Sequence, residues 1–195
     1  MVVLIIGGSG SGKSAYAEQR SLEFGNHHAY YAATMEAIDL ESKRRVERHR
    51  QLRAGGGWIT LEQPRKIEKI TTQIEDYDSV VLLECLSNLV ANEMYGGDDE
   101  GRLETDEFVA EDCARQIVEG IQAVSHAAEN LVIVSNNVFE DGTEAVPELR
   151  TYLKVLGFAN QMIAEIADEV VEVVVGIPVF CKSSPERSNA NDENS

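Results

Sequence analysis

Short apolar runs alternate with longer segments of helical periodicity along most of this chain. The first run, "VVLII" at residues 2–6, is apolar throughout, as in a strand of a parallel sheet that is covered on both faces. The other runs predict strands over residues 29–33, 58–62, 79–84, 131–135 and 169–175. The intervening segments predict helices over residues 14–24, 36–54, 64–75, 86–94, 106–128 and 147–167.

This alternation of strands and helices predicts an α/β fold with a mostly parallel central sheet flanked by helices. Gly25 and the three glycines at 55–57 are expected to end two of the helices, and Pro64 is expected in the first turn of the third. The length of 195 residues and the hydrophobic content of 43% fit one domain over residues 1–182. The polar residues 183–195, "SSPERSNANDENS", predict a disordered tail.

The apolar runs and the cysteines predict a cytoplasmic protein. None of the runs approaches the roughly 18 apolar residues of a membrane helix, so membrane insertion is not expected. The N-terminal run has neither a charged region before it nor a cleavage site after it, which favours a buried strand over a signal peptide. Three cysteines, odd in number and widely spaced, indicate reduced thiols.

Charge is distributed unevenly along the chain. The 34 acidic and 17 basic residues give a net charge of −17, which argues against nucleic acid as the main partner but allows a small polyanion in a local cationic pocket. Residues 43–53 are the exception, because they contain six basic residues and one acid. This segment belongs to the predicted helix over residues 36–54 and contains His49.

The segment "GGSGSGKS" at residues 7–14 matches the phosphate-loop pattern G-x-x-x-x-G-K-[ST] between a predicted strand and a predicted helix. Backbone amides in such a loop point at bound phosphates, and the following helix adds its positive N-terminal end. Lys13 is expected to reach the β and γ phosphates as a catalytic residue, and Ser14 to ligate Mg²⁺. The alternative is a Gly/Ser-rich turn with a chance lysine. The residues expected to surround the phosphates are Gly7, Gly8, Ser9, Gly10, Ser11, Gly12, Lys13 and Ser14.

Glu84, at the end of the predicted strand over residues 79–84, is the best candidate for a second magnesium-binding group. Its alternative role is an N-cap or first-turn acid of the helix that starts near Leu86. Cys85 is expected to be a buried small residue and not a nucleophile. A regulatory GTPase is disfavoured, since the chain has neither a D-x-x-G switch after a predicted strand nor an N-K-x-D element.

On a helix, His49 would share a face with Arg45 and Arg53, and with apolar Val46 and Leu52. The two guanidiniums disfavour the imidazolium, so His49 is expected to be neutral and nucleophilic near pH 7. The same arginines could hold a triphosphate while the imidazole attacks its α-phosphorus. The alternative is a solvated basic face with an incidental histidine.

Together these segments resemble the bifunctional adenosylcobinamide kinase and adenosylcobinamide-phosphate guanylyltransferase family of cobalamin (vitamin B12) biosynthesis. The resemblance extends over residues 1 to about 182, and the basic helix followed by W-x-T-x-E is more specific than the phosphate loop. Its marks are "GGSGSGKS" at 7–14, "YAAT" at 31–34, "RVERHRQLR" at 45–53, "WITLE" at 58–62, "LLEC" at 82–85, "VSN" at 134–136, "GFANQMIAEIADEV" at 157–170 and "VVVGIPV" at 173–179.

The resemblance implies two reactions. ATP or GTP phosphorylates the aminopropanol hydroxyl of adenosylcobinamide, and GTP then transfers GMP through His49 to adenosylcobinamide phosphate, giving adenosylcobinamide-GDP. It also implies a homotrimer. The residues that the resemblance places near the nucleotide are Ala33, Thr34, Met35, Arg50, Gln51, Leu52, Arg53, Glu62 and Glu84.

The chain departs from the family pattern at two places. Residues 136–139 are "NNVF" where the family has N-E-V-G, and Leu153-Lys154 replaces a common Arg-Asp pair. These departures leave the substrate and the second activity open. Two alternatives therefore remain, namely a kinase for another small metabolite, in which His49 is structural, and a nucleotide-binding protein without enzymatic activity.

Overall fold

The fold is built on one seven-stranded sheet with the strand order β3-β2-β4-β5-β1-β6-β7. A computed structural model of the chain describes residues 1–36, 57–96, 107–138 and 147–183. The strands are β1 (Val2–Gly7), β2 (His28–Ala33), β3 (Trp58–Glu62), β4 (Ser79–Glu84), β5 (Asn130–Asn136), β6 (Glu169–Val174) and β7 (Ile177–Lys182). The helices are α1 (Lys13–Leu22), a 3₁₀ helix (Ile67–Gln73), α2 (Leu86–Tyr95), α3 (Glu107–Ala127) and α4 (Pro147–Ile166).

Strands β1 to β6 run parallel, and β7 pairs antiparallel with β6 at one edge. The predicted α/β class with a mostly parallel sheet is therefore confirmed. The register brings the carboxyl ends of β1 to β5 together at one end of the sheet. Gly7 pairs with Asn136, and Ala33 pairs with both Glu84 and Glu62. Ligands of open parallel sheets bind at the carboxyl ends of the strands, so a ligand site is expected at this end of the sheet.

Apolar side chains fill both faces of the sheet, as the continuous apolar strands require. On one face, Val3 and Ile5 pack with Ala17 of α1. On the other face, Leu4 joins a larger cluster with side chains from α2, α3 and α4. None of the helices in the ranges given above has a stretch long and apolar enough to cross a membrane.

Two of the predicted elements are wrong in detail. The helix over residues 64–75 is a 3₁₀ helix that begins only at Ile67, because Lys66 has left-handed backbone angles (φ 53°, ψ 60°) that interrupt a regular helix before it. The strand over residues 169–175 is also not the last one. Val175 (φ 45°) and Gly176 (φ 84°) form a tight turn, and β7 follows it as an edge strand.

Several predictions lie outside the described residues. The basic helix over 36–54 falls almost wholly within residues 37–56. The tail from residue 184 onward is likewise outside the described part of the chain.

Candidate active site

The phosphate loop lies at the carboxyl end of β1 and leads directly into α1. Gly10 (φ 71°) and Gly12 (φ 90°) have left-handed backbones, and Gly12 is the N-cap of α1. These angles favour glycine, since a Cβ atom would add strain at either position. The backbone amide of Ser11 donates to the carbonyl of Gly8 at 3.2 Å and closes the loop on itself.

The turn between β6 and β7 braces this loop from outside. The amide of Gly176 donates to the carbonyl of Ser11 at 2.7 Å. A Cβ atom added to Gly7 would lie 2.5 Å from Ser11 Oγ and 2.8 Å from the carbonyl oxygen of Val173, so that position accepts only glycine. No local pattern in the sequence predicts this contact, although "VVVGIPV" at 173–179 is among the marks of the family resemblance.

Lys13 lies along the loop that precedes it. Its ammonium donates to the carbonyl of Gly8 at 3.0 Å, and the residue is 8% exposed. Burial lowers the pKa of Lys13, and the nearby Cys85 and Glu84 oppose part of that shift. The chain therefore holds one buried cation within the concave loop, where a phosphate chain would need it.

Glu84 connects the phosphate loop to the neighbouring strand. Its Oε1 accepts a hydrogen bond from Ser14 Oγ at 2.5 Å, and its Oε2 accepts one from Tyr31 Oη at 2.8 Å. The alternative role as a helix cap is not observed, because Cys85 is the N-cap of α2 and that cap has no side-chain hydrogen bond. A hydroxyl and a carboxylate that converge in this way are the oxygen donors that Mg²⁺ prefers, with phosphates and waters completing its shell.

Groups of three or more carboxylate, histidine or cysteine side chains that could hold a metal are absent from the described ranges.

Thr34 lies at the same edge but uses its hydroxyl inside the protein. Its Oγ1 donates to the carbonyl of Cys85 at 2.8 Å and accepts from the amide of Cys85 at 2.7 Å. The residue is fully buried, and Asn92 of α2 donates to its carbonyl at 2.7 Å. Thr34 therefore fixes the junction of β4 and α2, and its hydroxyl both donates and accepts a hydrogen bond within the protein.

A buried polar cluster beside this junction was missed by sequence reasoning. Asn136 Nδ2 donates to Ser87 Oγ at 2.6 Å, Tyr152 Oη donates to the Ser87 carbonyl at 3.3 Å, and Cys85 Sγ lies 3.0 Å from Ser87 Oγ. Burial raises the pKa of the Cys85 thiol, and it raises the pKa of Tyr152 to about 12. Cys85 is 7% exposed and protonated at neutral pH, as expected of a buried small residue.

The remaining predicted site residues divide into two sets. Ala33, Met35 and Glu62 lie at or just beyond the carboxyl ends of β2 and β3, and Glu62 is exposed. Because Ala33 pairs with both neighbouring strands, Glu62 is two strand spacings, about 10 Å, from Glu84. The second set falls within residues 37–56, outside the described part of the chain: Arg45, His49, Arg50, Gln51, Leu52 and Arg53.

Comparison with known proteins gives a consistent result. Residues 3–181 match the family described as "Cobinamide kinase / cobinamide phosphate guanyltransferase". The "Bifunctional adenosylcobalamin biosynthesis protein CobU" of Escherichia coli (strain K12) is 34% identical over 191 residues, which cover 93% of this chain and 100% of that protein.

Two further relatives have similar sequence identity to this chain and similar coverage. The protein of the same name from Salmonella typhimurium is 33% identical over 189 residues, covering 93% of this chain and 100% of that protein. The "Bifunctional adenosylcobalamin biosynthesis protein CobP" of Pseudomonas aeruginosa is 32% identical over 185 residues, covering 93% of this chain and 98% of that protein.

Proposed function

This chain belongs to the cobinamide kinase / cobinamide phosphate guanyltransferase family, and from that premise we propose the reactions that it carries out. It is a bifunctional transferase of adenosylcobalamin biosynthesis. It phosphorylates adenosylcobinamide with ATP or GTP and then transfers GMP from GTP, which gives adenosylcobinamide-GDP. The observation that carries the proposal is the match over residues 3–181, which includes both the phosphate loop and the histidine segment.

In the kinase reaction the loop binds the phosphates of the nucleotide. The acceptor hydroxyl oxygen forms a bond to the γ-phosphorus and its proton is lost to solvent, while the bond from that phosphorus to the β,γ-bridging oxygen breaks and the nucleoside diphosphate leaves. Lys13, the loop amides and the N-terminal end of α1 stabilise the negative charge on the transferred group. Ser14 and Glu84 would hold Mg²⁺, which when bound neutralises phosphate charge. Tyr31 keeps the Glu84 carboxylate turned toward Ser14 through its 2.8 Å hydrogen bond.

In the transfer reaction a nitrogen of His49 attacks the α-phosphorus of GTP and pyrophosphate leaves. The phosphate of adenosylcobinamide phosphate then attacks the same phosphorus, which breaks the bond to His49 and frees the histidine. Arg45 and the residues from Arg50 to Arg53 would grip the nucleotide, and Ala33, Thr34, Met35 and Glu62 would lie beside it. Support for these assignments comes from the basic pattern around His49 and from family membership.

We also propose that residues 1–182 act as a single domain and that the protein works in the cytoplasm as a homotrimer. Both statements rest on the sequence pattern and on the family. The principal alternative is a phosphate-loop kinase without guanylyl transfer, and it is favoured by the departure at residues 136–139. There, Asn137 and Phe139 replace the carboxylate and the glycine of the family pattern.

Two variants test whether Lys13 serves phosphorylation and His49 serves guanylyl transfer. Lys13→Ala should abolish phosphorylation of cobinamide, because it removes the buried cation of the loop. His49→Ala should leave phosphorylation intact and remove the GTP-dependent step. Activity retained in Lys13→Ala would refute the kinase assignment. Equal loss of both reactions in His49→Ala would contradict the separate role of the histidine.

A further inference from the structure

A cavity of about 370 Å³ lies beside the carboxyl end of β3, next to the site described above. The segment after Glu62 forms one wall, and the last turn of α2 forms the other. Its volume is within the range of small-molecule sites, about 300–1,000 Å³. The reactions assigned to the phosphate loop and His49 do not use the charged side chains of this cavity.

Positive charge dominates the wall. Arg65, Lys66 and Lys69 line the cavity with a single carboxylate, Glu93, in a chain whose net charge is −17. Lys66 and Lys69 are exposed, and neither ammonium has a hydrogen bond or ion pair with any residue that the structure describes. Compact ammonium groups of this kind are common ligands of phosphate.

Arg65 is only partly available, because its guanidinium already has protein partners. Its Nε lies 3.6 Å from Glu36 Oε1, and its Nη1 donates to the carbonyl of Gly96. Through these contacts, Glu36 and Gly96 satisfy the guanidinium of Arg65, one of the three cations that line the cavity. Among the residues that the structure describes, Lys66 and Lys69 therefore supply the positive charge that has no ion pair, and Glu93 is the one carboxylate in the same lining.

The segment that carries Lys66 is held in place from α2. Glu93 Oε1 accepts a hydrogen bond from the Lys66 amide at 2.5 Å, and Asn92 Nδ2 donates to the Pro64 carbonyl at 3.0 Å. Lys66 itself is in the left-handed region (φ 53°), which is uncommon for a residue with a side chain. The surrounding hydrogen bonds thus maintain a strained backbone that presents a lysine to the cavity.

The position of the cavity is compatible with binding a group that has been phosphorylated at the phosphate loop. Glu62 is two strand spacings from Glu84, and Gln63, the next residue, already lines the cavity. At this end of the sheet, β3 and β4 are therefore about 10 Å apart. Arg65 also contacts Glu36, the last described residue before the segment that contains His49.

We propose that this cavity is a second anion site, and that it binds the phosphate monoester of the phosphorylated acceptor during guanylyl transfer. The proposal rests on the proposed function, in which the kinase reaction makes that monoester at the phosphate loop. The monoester must then face a different phosphorus atom, so a cationic site outside the loop would hold it. Pyrophosphate, which is released in the same reaction, shares this chemistry and is the other source of the anion.

The test is a pair of charge-removing substitutions, Lys66→Gln with Lys69→Gln, in the full chain. The KM for cobinamide phosphate in GTP-dependent transfer should rise about tenfold or more, the effect of losing roughly one charge-assisted contact. The KM for the nucleotide in the kinase reaction should not change. Lys66→Arg with Lys69→Arg should retain a low KM for cobinamide phosphate, because charge is kept. Arg115→Gln, which removes an exposed charge paired with Glu111 on α3, is the control.

The outcomes separate the two sources of the anion. If pyrophosphate inhibits the Gln variant less strongly while the KM for cobinamide phosphate stays the same, the site is an anion site for pyrophosphate. An equal rise of KM for cobinamide and for cobinamide phosphate would overturn the proposal, since the cavity would then not recognise phosphate. Unchanged values for all three ligands, in a variant with the wild-type thermal midpoint, would also overturn it.

Failure of the proposed function gives a different result. A wild-type protein that phosphorylates no cobinamide would refute that function directly. Calorimetric titration of pyrophosphate into Lys13→Ala, which lacks the cation of the phosphate loop, and into the same protein with the two Gln substitutions would still decide the anion site. Equal affinity in the two proteins would refute it, and weaker binding by the variant would support it.

Discussion

The hydrogen bond from Tyr31 to Glu84 gives the most specific prediction about catalysis. Tyr31→Phe keeps the ring and its edge-on contact with Trp58, whose ring centroid is 6.2 Å away, and removes the hydroxyl that donates to Glu84 at 2.8 Å. Among the described residues, Ser14 is then the remaining side chain that donates a hydrogen bond to the Glu84 carboxylate. We expect it to spend less time in the orientation that a bound cation needs.

The size of the effect follows from the kind of hydrogen bond that is lost. A hydrogen bond to a charged group contributes about 1.5–3 kcal/mol, and about 1.4 kcal/mol corresponds to a factor of ten in rate. If the whole of this energy serves to orient the carboxylate, kcat for phosphorylation should fall by about 10- to 100-fold. The Mg²⁺ concentration that gives half-maximal activity should rise as well.

The neighbouring residue on the same strand supplies the control. Tyr30 is 1% exposed, and its hydroxyl accepts a hydrogen bond from the Glu75 amide at 3.1 Å, but its side chain belongs to the cluster on the opposite face of the sheet. Tyr30→Phe should reduce stability by about 1 kcal/mol and leave the kinetics unchanged. Steady-state rates of phosphorylation, measured for both variants at varied Mg²⁺ concentration, test this prediction. Equal kinetics for Tyr31→Phe and the wild type would refute the reasoning.

Three further predictions concern the loop, the core and the thiols. Gly7→Ala should lower the thermal midpoint and abolish nucleotide binding, because its Cβ would collide with Ser11 and Val173. Gly8→Ala is the control and should leave the midpoint unchanged, because its Cβ would meet no atom within 4 Å. Equal midpoints for the two variants would contradict the close packing around Gly7. Glu169→Ala should cost about 3–5 kcal/mol in urea unfolding, because it removes the buried partner of the Arg20 guanidinium and leaves it only the half-exposed carboxylate of Glu23, 3.8 Å away; a loss below about 1 kcal/mol would contradict this. Cys85 should resist alkylation at pH 7–8, since burial raises its pKa, while the exposed cysteine of β7 reacts first; peptide mapping after iodoacetamide treatment checks the order.

The parallel strands could be predicted from sequence because their apolar runs are continuous and bounded by turn residues. The last hairpin could not, since its turn has Val175 at a positive φ where asparagine or glycine is the usual signal. The sequence does not distinguish this 3₁₀ helix from an α-helix, because Ile67 and Ile70, its two buried residues, are three apart, a spacing that both helix types allow.

The parts of the site differ in the same way. Lys13 and Ser14 belong to a local motif whose spacing reveals its role. Glu84 could be proposed from its place at the end of a strand, but its link to Tyr31 depends on β2 and β4 being neighbours, which no local spacing encodes. The cluster around Ser87 joins residues from α2, β5 and α4, so its members are distant in the sequence and carry no common signal.

The central claim is that GMP passes through His49. The most direct test is the intact mass of the purified protein after incubation with GTP and Mg²⁺. We predict a shift by one GMP moiety that is labile to acid and absent in His49→Ala. An unshifted mass, in a protein that still binds GTP, would contradict the account and leave a phosphate-loop kinase whose basic segment only grips the nucleotide.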